Sequence, residues 1–221
     1  MIIMENLSYS FGKKPVFRDV NIELYSKKYA LLGDNGCGKT TFLRCLSGYY
    51  SNYSGRIKKE DNTSRIKVGY LPQRFGMYPN MTIEENLAYL AVLRDFEDNY
   101  KSIIEDAMEK TNLLSLKNKK AKELSGGELQ RAGVAQAIMG NPELILLDEP
   151  TVSLDIKQRT DFYTMINNLD IKCSLLFSTH LLDDVRNISD EIFVMSKGNV
   201  YLTDWSPCSS DLGDKYNCFD F

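Results

Sequence analysis

The sequence predicts an α/β protein built on a mostly parallel sheet, and three observations predict it. Short apolar runs such as "YALL", "LILL" and "SLLF" are bounded by polar turns, the pattern of strands buried on both faces. Segments with helical spacing alternate with such runs through the second half of the chain. Between residues 28 and 48 a strand, a glycine-rich loop and a helical segment follow one another directly.

Residues 1 to 25 alternate in patches around the turn "GKKP", which predicts a strand pair at the start of the domain. "KYALLG" reads as a buried strand, and "KTTFLRCLSG" as a helix stopped at Gly48. "SGRIKKEDNTSRIKVGYLPQ" supplies two more short strands. After Gln73 the period becomes helical through "TIEENLAYLAVLRDF" and "YKSIIEDAMEKTNLLSL", with Thr82 and Glu85 spaced as a capping box. A helical insertion is therefore expected at about 74–122.

From residue 123 the expected order is helix "SGGELQRAGVAQAIMG", strand "ELILLDEP", helix "DIKQRTDFYTMINNL", strand "CSLLFSTH" and a strand pair near 191–203. A short tail, about 204–221, follows. No internal repeat is present, and residues 1–221 are expected to form one domain with an N-terminal antiparallel β subdomain.

Composition excludes several classes of function. Hydrophobic residues at 43% and charged residues at 26% suit a folded globular chain. A net charge of -3 gives no broad basic face for a phosphate backbone, so nucleic acid is not an expected partner. The run "KNKKAK" (117–122) reads as a solvated loop. Five cysteines without a CxxC pair argue against a disulfide framework and a zinc site, and suit a reducing cytosol. The acid and polar residues of "MIIMENLSYS" break any signal-peptide core, and no apolar run approaches the roughly 20 residues of a membrane-spanning helix.

The chemistry is carried first by "LLGDNGCGKTT", residues 31–41. Gly33, Gly38, Lys39 and Thr40 match G-x-x-x-x-G-K-[ST] between a predicted strand and a predicted helix. The glycines let successive N–H groups turn inward around phosphate oxygens, and the helix N-terminus adds positive potential. Lys39 reaches the β- and γ-phosphates and Thr40 supplies a hydroxyl ligand for Mg²⁺, so the ligand is a nucleoside triphosphate. "ELILLDEP" ends a buried strand with Asp148, placed to hold Mg²⁺ through water, and Glu149, placed to orient an attacking water. In "LSGGELQ", Ser125 and Glu128 fit a capping box, which leaves the doubled glycine unexplained.

Together these motifs resemble the nucleotide-binding subunits of ATP-binding cassette (ABC) transporters. The resemblance covers nearly the whole chain: "GDNGCGKTT", Gln73 in "YLPQ", "LSGGE", "LILLDE", "SLD" (153–155) and His180 in "STH" stand in the family's order. It implies a P-loop NTPase core that binds ATP and Mg²⁺ and hydrolyses ATP. It also implies that Gly33, Asn35, Gly36, Cys37, Gly38, Lys39, Thr40 and Thr41 hold the phosphates, and that Thr40, Gln73 and Asp148 serve the metal. Glu149 would then polarise the water, Gln73 would sense it, and His180, the only histidine, would meet the γ-phosphate. Phe11 in "YSFGKKP" is the expected ring for adenine, with Tyr9 on the same strand face as second choice.

The likeness further implies a head-to-tail dimer, with a second copy or a related chain, in which Ser125, Gly126 and Gly127 close over the partner's ATP and Asp155 lies alongside. Integral membrane permease subunits would be the other partners, which places the chain in the cytoplasm on the inner face of the membrane. "YLPQRFGMYPNMTIEENLAYLAVLRDF" resembles the subunits of exporter-type permeases, so export is the expected direction. Departures are Asp34 where proline is usual, Glu128-Leu129-Gln130 ending the signature, and Ile156 after Asp155. Two other readings are a soluble ABC clamp, disfavoured by single-cassette length and missing coiled-coil runs, and a nucleotide sensor without turnover, disfavoured by the intact Asp148, Glu149, Gln73 and His180. Cys37, inside the phosphate nest beside Lys39, is expected to favour its thiolate.

Overall fold

The computed structural model describes residues 1–63, 65–94, 96, 100–170 and 172–217. Cys218 and the rest of the tail lie outside the described residues. The first strands, β1 (Ile2–Phe11) and β2 (Lys14–Leu24), pair antiparallel around the turn at Gly12, and β4 (Ser54–Lys59) joins β1 on its other edge. The other strands, β3 (Lys28–Leu32), β5 (Val68–Leu71), β6 (Leu144–Asp148), β7 (Ser174–Thr179), β8 (Glu191–Ser196) and β9 (Asn199–Leu202), form a second sheet in the order β5-β6-β7-β3-β8-β9. All neighbours in it are parallel except β8 and β9, so the expected mostly parallel sheet with an antiparallel N-terminal unit is what the chain forms.

Alternation of side chains fixes two cores on the two faces of this sheet. Ala30, Leu32, Ile145, Leu147, Leu175 and Phe177 face the larger core, while Tyr29, Leu31, Leu144, Leu146 and Leu176 face the other. The smaller core is closed by Phe42, Leu43 and Leu46 of α1 (Lys39–Leu46) and by Ile2, Met4 and Leu7 of β1. The larger is closed by α2 (Ile83–Leu93), α3 (Tyr100–Lys110), α4 (Gly126–Ile138) and α5 (Ile156–Asn168). Each leucine so buried contributes roughly 1.5–3 kcal/mol, so both faces must be covered for the sheet to persist.

Within the stretch 74–122 the first helix begins at Ile83. Pro72, Gly76 and Pro79 keep the chain irregular until Thr82 caps α2, its hydroxyl accepting the Glu85 N–H at 3.1 Å while Glu85 accepts the Thr82 N–H at 2.7 Å. Two helices were absent from the sequence expectation. α6 (Leu182–Ile188) spans fewer than two turns, too short for its period to stand out, yet buries Val185 and Ile188. α7 (Leu212–Asn217) lies in the tail, where Leu212 is buried and the Tyr216 hydroxyl donates to Asp34 Oδ1 at 3.0 Å. The tail thus packs against the loop after β3. No helix among the described residues is long and apolar enough to cross a membrane.

Candidate nucleotide site

Strands β6, β7 and β3 are neighbours in register, so their carboxyl ends deliver Asp148, Thr179 and Leu32 to one edge of the sheet. Ligands bind at such an edge in open α/β sheets. The loop from Gly33 to Gly38 leaves β3 there and enters α1. Gly36 and Gly38 take positive φ (84° and 116°), which alternates the backbone so that its N–H groups converge. At Gly33 a Cβ would stand 2.6 Å from the Met195 carbonyl oxygen, so a side chain is barred on the wall of the loop.

Lys39 is 4% exposed, and its ammonium donates to the Gly33 and Asp34 carbonyls at 2.7 and 3.0 Å. It also lies 3.5 Å from Glu149 Oε1. Glu149 gathers two further groups: Gln73 Nε2 donates to its Oε2 at 2.7 Å, and His180 Nδ1 stands 3.8 Å from Oε1. That Nδ1 is shut from solvent without a hydrogen-bond partner, as a group awaiting an acceptor or donor would be. Glu149 itself holds φ at 47°, a left-handed conformation that a non-glycine residue adopts at a cost and that concentrates at functional sites.

Asp148 is buried at the floor. Its Oδ1 accepts from Ser178 at 2.7 Å and Thr40 at 3.1 Å, and Tyr70 reaches Oδ2 at 3.5 Å. Burial pushes this carboxyl above its usual range, with the two hydroxyl bonds pulling the other way and the neighbouring Glu149 adding to the rise. Burial, and then Asp148, push the Tyr70 phenol up to about 12, so it remains a donor. No group of three or more His, Cys, Asp or Glu among the described residues could hold a metal by itself. The Thr40 hydroxyl and the Asp148 carboxylate beside a phosphate nest fit Mg²⁺, which is bound through one or two protein ligands and completes its shell with phosphates and water.

The signature residues stand elsewhere. Ser125 caps α4, its hydroxyl accepting the Glu128 N–H at 3.3 Å while Glu128 accepts the Ser125 N–H at 2.7 Å. A Cβ at Gly127 would meet Gln158 at 3.1 Å, so this turn is packed against α5. Asp155 caps α5 through the Gln158 N–H at 2.8 Å. Within one chain, then, Ser125, Gly126, Gly127 and Asp155 form a second constellation around Gln158, and their contacts go to α5 and to their own helix starts. Ser125, Gly126 and Asp155 are exposed.

At the far end of β1, Phe11 is 51% exposed, edge-on to Tyr9 (5.1 Å, 87°) and to Tyr50 (5.8 Å, 90°). Tyr9 is 4% exposed and stacks on Phe17 and Tyr50, so the second-choice ring belongs to the core. Asn35 and Gly36 are open to solvent, and Thr41 sits in the first turn of α1. The expectation for Cys37 is overturned: burial pushes its thiol up, and this outweighs the pull of Lys39. Ser178, Tyr70 and Tyr50 were not anticipated, because they act through strand register and helix placement that spacing along the chain does not encode.

The sequence profile of the family described as "ABC transporter" matches residues 17–152. The spermidine/putrescine import ATP-binding protein PotA of Bacillus cereus is 31% identical over 214 residues, which cover 90% of this chain and 64% of that protein. The chain thus spans less than two thirds of the length of this curated relative. Among solved structures, a metal-chelate type ABC transporter in an inward-facing conformation is similar at 26% identity and a TM-score of 0.78, over 91% of this chain and 82% of that one. CbiO1 of Clostridium perfringens, part of the ABC transporter complex cbiONQ, shares the fold at 24% identity and a TM-score of 0.80, over 98% and 94% of the two chains. The curated relative is an import protein, so the expectation of export finds no support among these proteins.

Proposed function

We propose, for a chain that belongs to the ABC transporter family, that it is the ATP-hydrolysing motor subunit of a membrane transporter. The observation that carries the reading is the Glu149 carboxylate at the mouth of the phosphate loop, with Lys39, Gln73 and His180 around it. Lys39 would exchange its loop carbonyls for the β- and γ-phosphates, which are better acceptors for an ammonium. Thr40 and Asp148, with Gln73 alongside, would hold Mg²⁺, which would supply charge neutralisation on the phosphates. Glu149 accepts a proton from the attacking water, Gln73 orients that water, and His180 donates toward the γ-phosphate. Phe11 stacks on the base.

Ser125, Gly126 and Gly127 make their bonds and contacts with the start of α4 and with Gln158 of α5, an arrangement that supports a head-to-tail dimer. A second copy, or a related chain, would bring its signature helix N-terminus over this chain's γ-phosphate, where amide N–H groups and helix dipole both favour an anion. Exposed Val152 and Ile156 flank Asp155 on the surface such a partner would cover. Phe75, Met77, Tyr78, Tyr89 and Leu90 line a groove of about 450 Å³ on the helical insertion, the face for a permease subunit at the membrane's inner surface. Substrate and direction would then belong to the permease.

The test compares the size and ATP turnover of purified wild type and Glu149→Gln in Mg-ATP. Slow hydrolysis by the wild type, with a stable ATP-bound dimer only for the variant, is the expected result. Monomers without turnover in both proteins would leave the nucleotide-sensing reading in its place.

A further inference from the structure

A buried carboxylate outside the nucleotide site ties three parts of that site together. Asp184, in the second half-turn of α6, is 0% exposed. Its Oδ2 accepts from Thr179 and from Thr151, each at 2.6 Å, and its Oδ1 accepts from Tyr163 at 2.7 Å. Thr179 and Thr151 are themselves 0% exposed, and Tyr163 is 9% exposed. All three hydrogen bonds therefore run in a water-free space, where each is strong and each missing partner is costly.

The donors are placed where the proposed chemistry needs geometry. Thr179 is the residue before His180, and its carbonyl accepts the N–H of Gly33, the first residue of the phosphate loop, at 3.3 Å. Its hydroxyl, while donating to Asp184, accepts the Leu181 N–H at 3.0 Å and so closes the turn that carries the His180 ring. Thr151 lies two residues after Glu149, in the turn that follows its left-handed backbone, and its carbonyl accepts from Leu154 at 3.0 Å. Tyr163 is on α5, whose first turn is capped by Asp155. Taking a carboxylate out of water costs several kcal/mol, and an apolar residue would fill a merely structural position at less cost. A carboxylate with three convergent hydroxyls instead specifies one arrangement of the segments that bear them.

We infer that Asp184 is a positioning residue for hydrolysis, which through Thr179, Thr151 and Tyr163 holds His180, Glu149 and the Asp155 helix start in one register. The inference rests on the reading of this site as an ATPase. Asp184 touches no substrate; it acts by fixing the backbone on either side of the reacting groups. Displacement of a reacting group by about 1 Å costs on the order of a hundredfold in rate, so loss of the clamp should appear in kcat. Binding through the phosphate loop should be largely spared, because Lys39 bonds the Gly33 and Asp34 carbonyls and, of the loop amides, only that of Gly33 is bonded to a residue of the clamp.

The experiment measures kcat and KM for ATP, with thermal midpoints, in wild type, Asp184→Asn, Thr179→Val, Thr151→Val and the Asp184→Asn/Thr179→Val pair. The expected result is a fall in kcat of about tenfold or more for Asp184→Asn and Thr179→Val, with KM within about twofold and the pair little worse than either alone. Thr179→Val preserves shape and stands in if Asp184→Asn does not fold. Unchanged kcat in the folded variants overturns the inference, as do losses that multiply in the pair or simply follow the thermal midpoint. His180 is the only histidine, so its ring signals in an NMR spectrum give a second reading that needs no turnover. One ring environment in wild type and several in Thr179→Val support the clamp; a single, unmoved signal in Thr179→Val overturns it. Absence of turnover in wild type would sink the ATPase reading alone, because the ring spectrum still decides the role of Asp184.

Discussion

Gln73 Nε2 donates to Glu149 Oε2 at 2.7 Å, across 76 positions of sequence. The bond joins the loop leading into the helical insertion to the end of β6. A displacement of this loop would therefore move the amide against the carboxylate. On the role proposed for it, orienting the water without holding the nucleotide, Gln73→Ala should lower kcat by about tenfold or more while KM for ATP changes little. Steady-state kinetics check this; an increase in KM alone would assign Gln73 to nucleotide binding.

Phe11 presents an exposed ring whose edges are held by Tyr9 and Tyr50. Base stacking on an aromatic face contributes about 1–3 kcal/mol, so Phe11→Ala should weaken ATP binding by roughly tenfold or more. Phe11→Tyr should bind as wild type does, and Tyr50→Ala should weaken binding less than Phe11→Ala. Titration calorimetry with ATP and a base-free triphosphate separates the ring's share, since the base-free ligand should not distinguish these proteins.

Most of this fold was legible because its strands obey one rule: "LILL" and, after Ser174, "LLF" are apolar at successive positions, and only a sheet covered on both faces hides them all. The phosphate loop was legible for the same kind of reason, since glycines at fixed spacing before a lysine have few other uses. What escaped depends on contacts across the chain. Ser178 matters because β6 and β7 register it against Asp148, and Asp184 because α6 turns it back beneath Thr151. The thiol of Cys37 was read in the wrong direction because the charge of Lys39 is visible in the sequence and the depth of burial is not.

Gly69 was equally silent in the sequence. A Cβ there would stand 1.7 Å from the Ala137 carbonyl oxygen, so β5 and α4 touch backbone to backbone. Gly69→Ala must push α4 off the sheet, and overpacking of this kind costs typically 1–3 kcal/mol or more. The thermal midpoint should fall, and because α4 carries the signature turn at its N-terminus, ATP-driven dimerisation of the Glu149→Gln background should weaken with it. Differential scanning calorimetry and sedimentation would read the two effects; a variant with unaltered stability would mean that the helix and strand separate freely.

Buried thiols set a limit to stability in alkali. Cys45 is 1% exposed, and burial pushes its thiol from 9.0 up to about 12; Cys173 is pushed up to about 11 by the same cause. Between pH 9 and those values the unfolded chain has released protons that the folded chain retains, so unfolding releases protons and stability must fall as pH rises. The stabilisation is complete below pH 9 and lost through the folded values, at about 1.4 kcal/mol per pH unit for each thiol. Cys45→Ala removes one such proton. Its unfolding free energy should therefore decline less steeply than that of wild type between pH 9 and 11, whatever the substitution costs at neutral pH. Denaturant titrations across that range check the slope, and parallel curves would show that Cys45 ionises as readily in the folded chain as in the unfolded one.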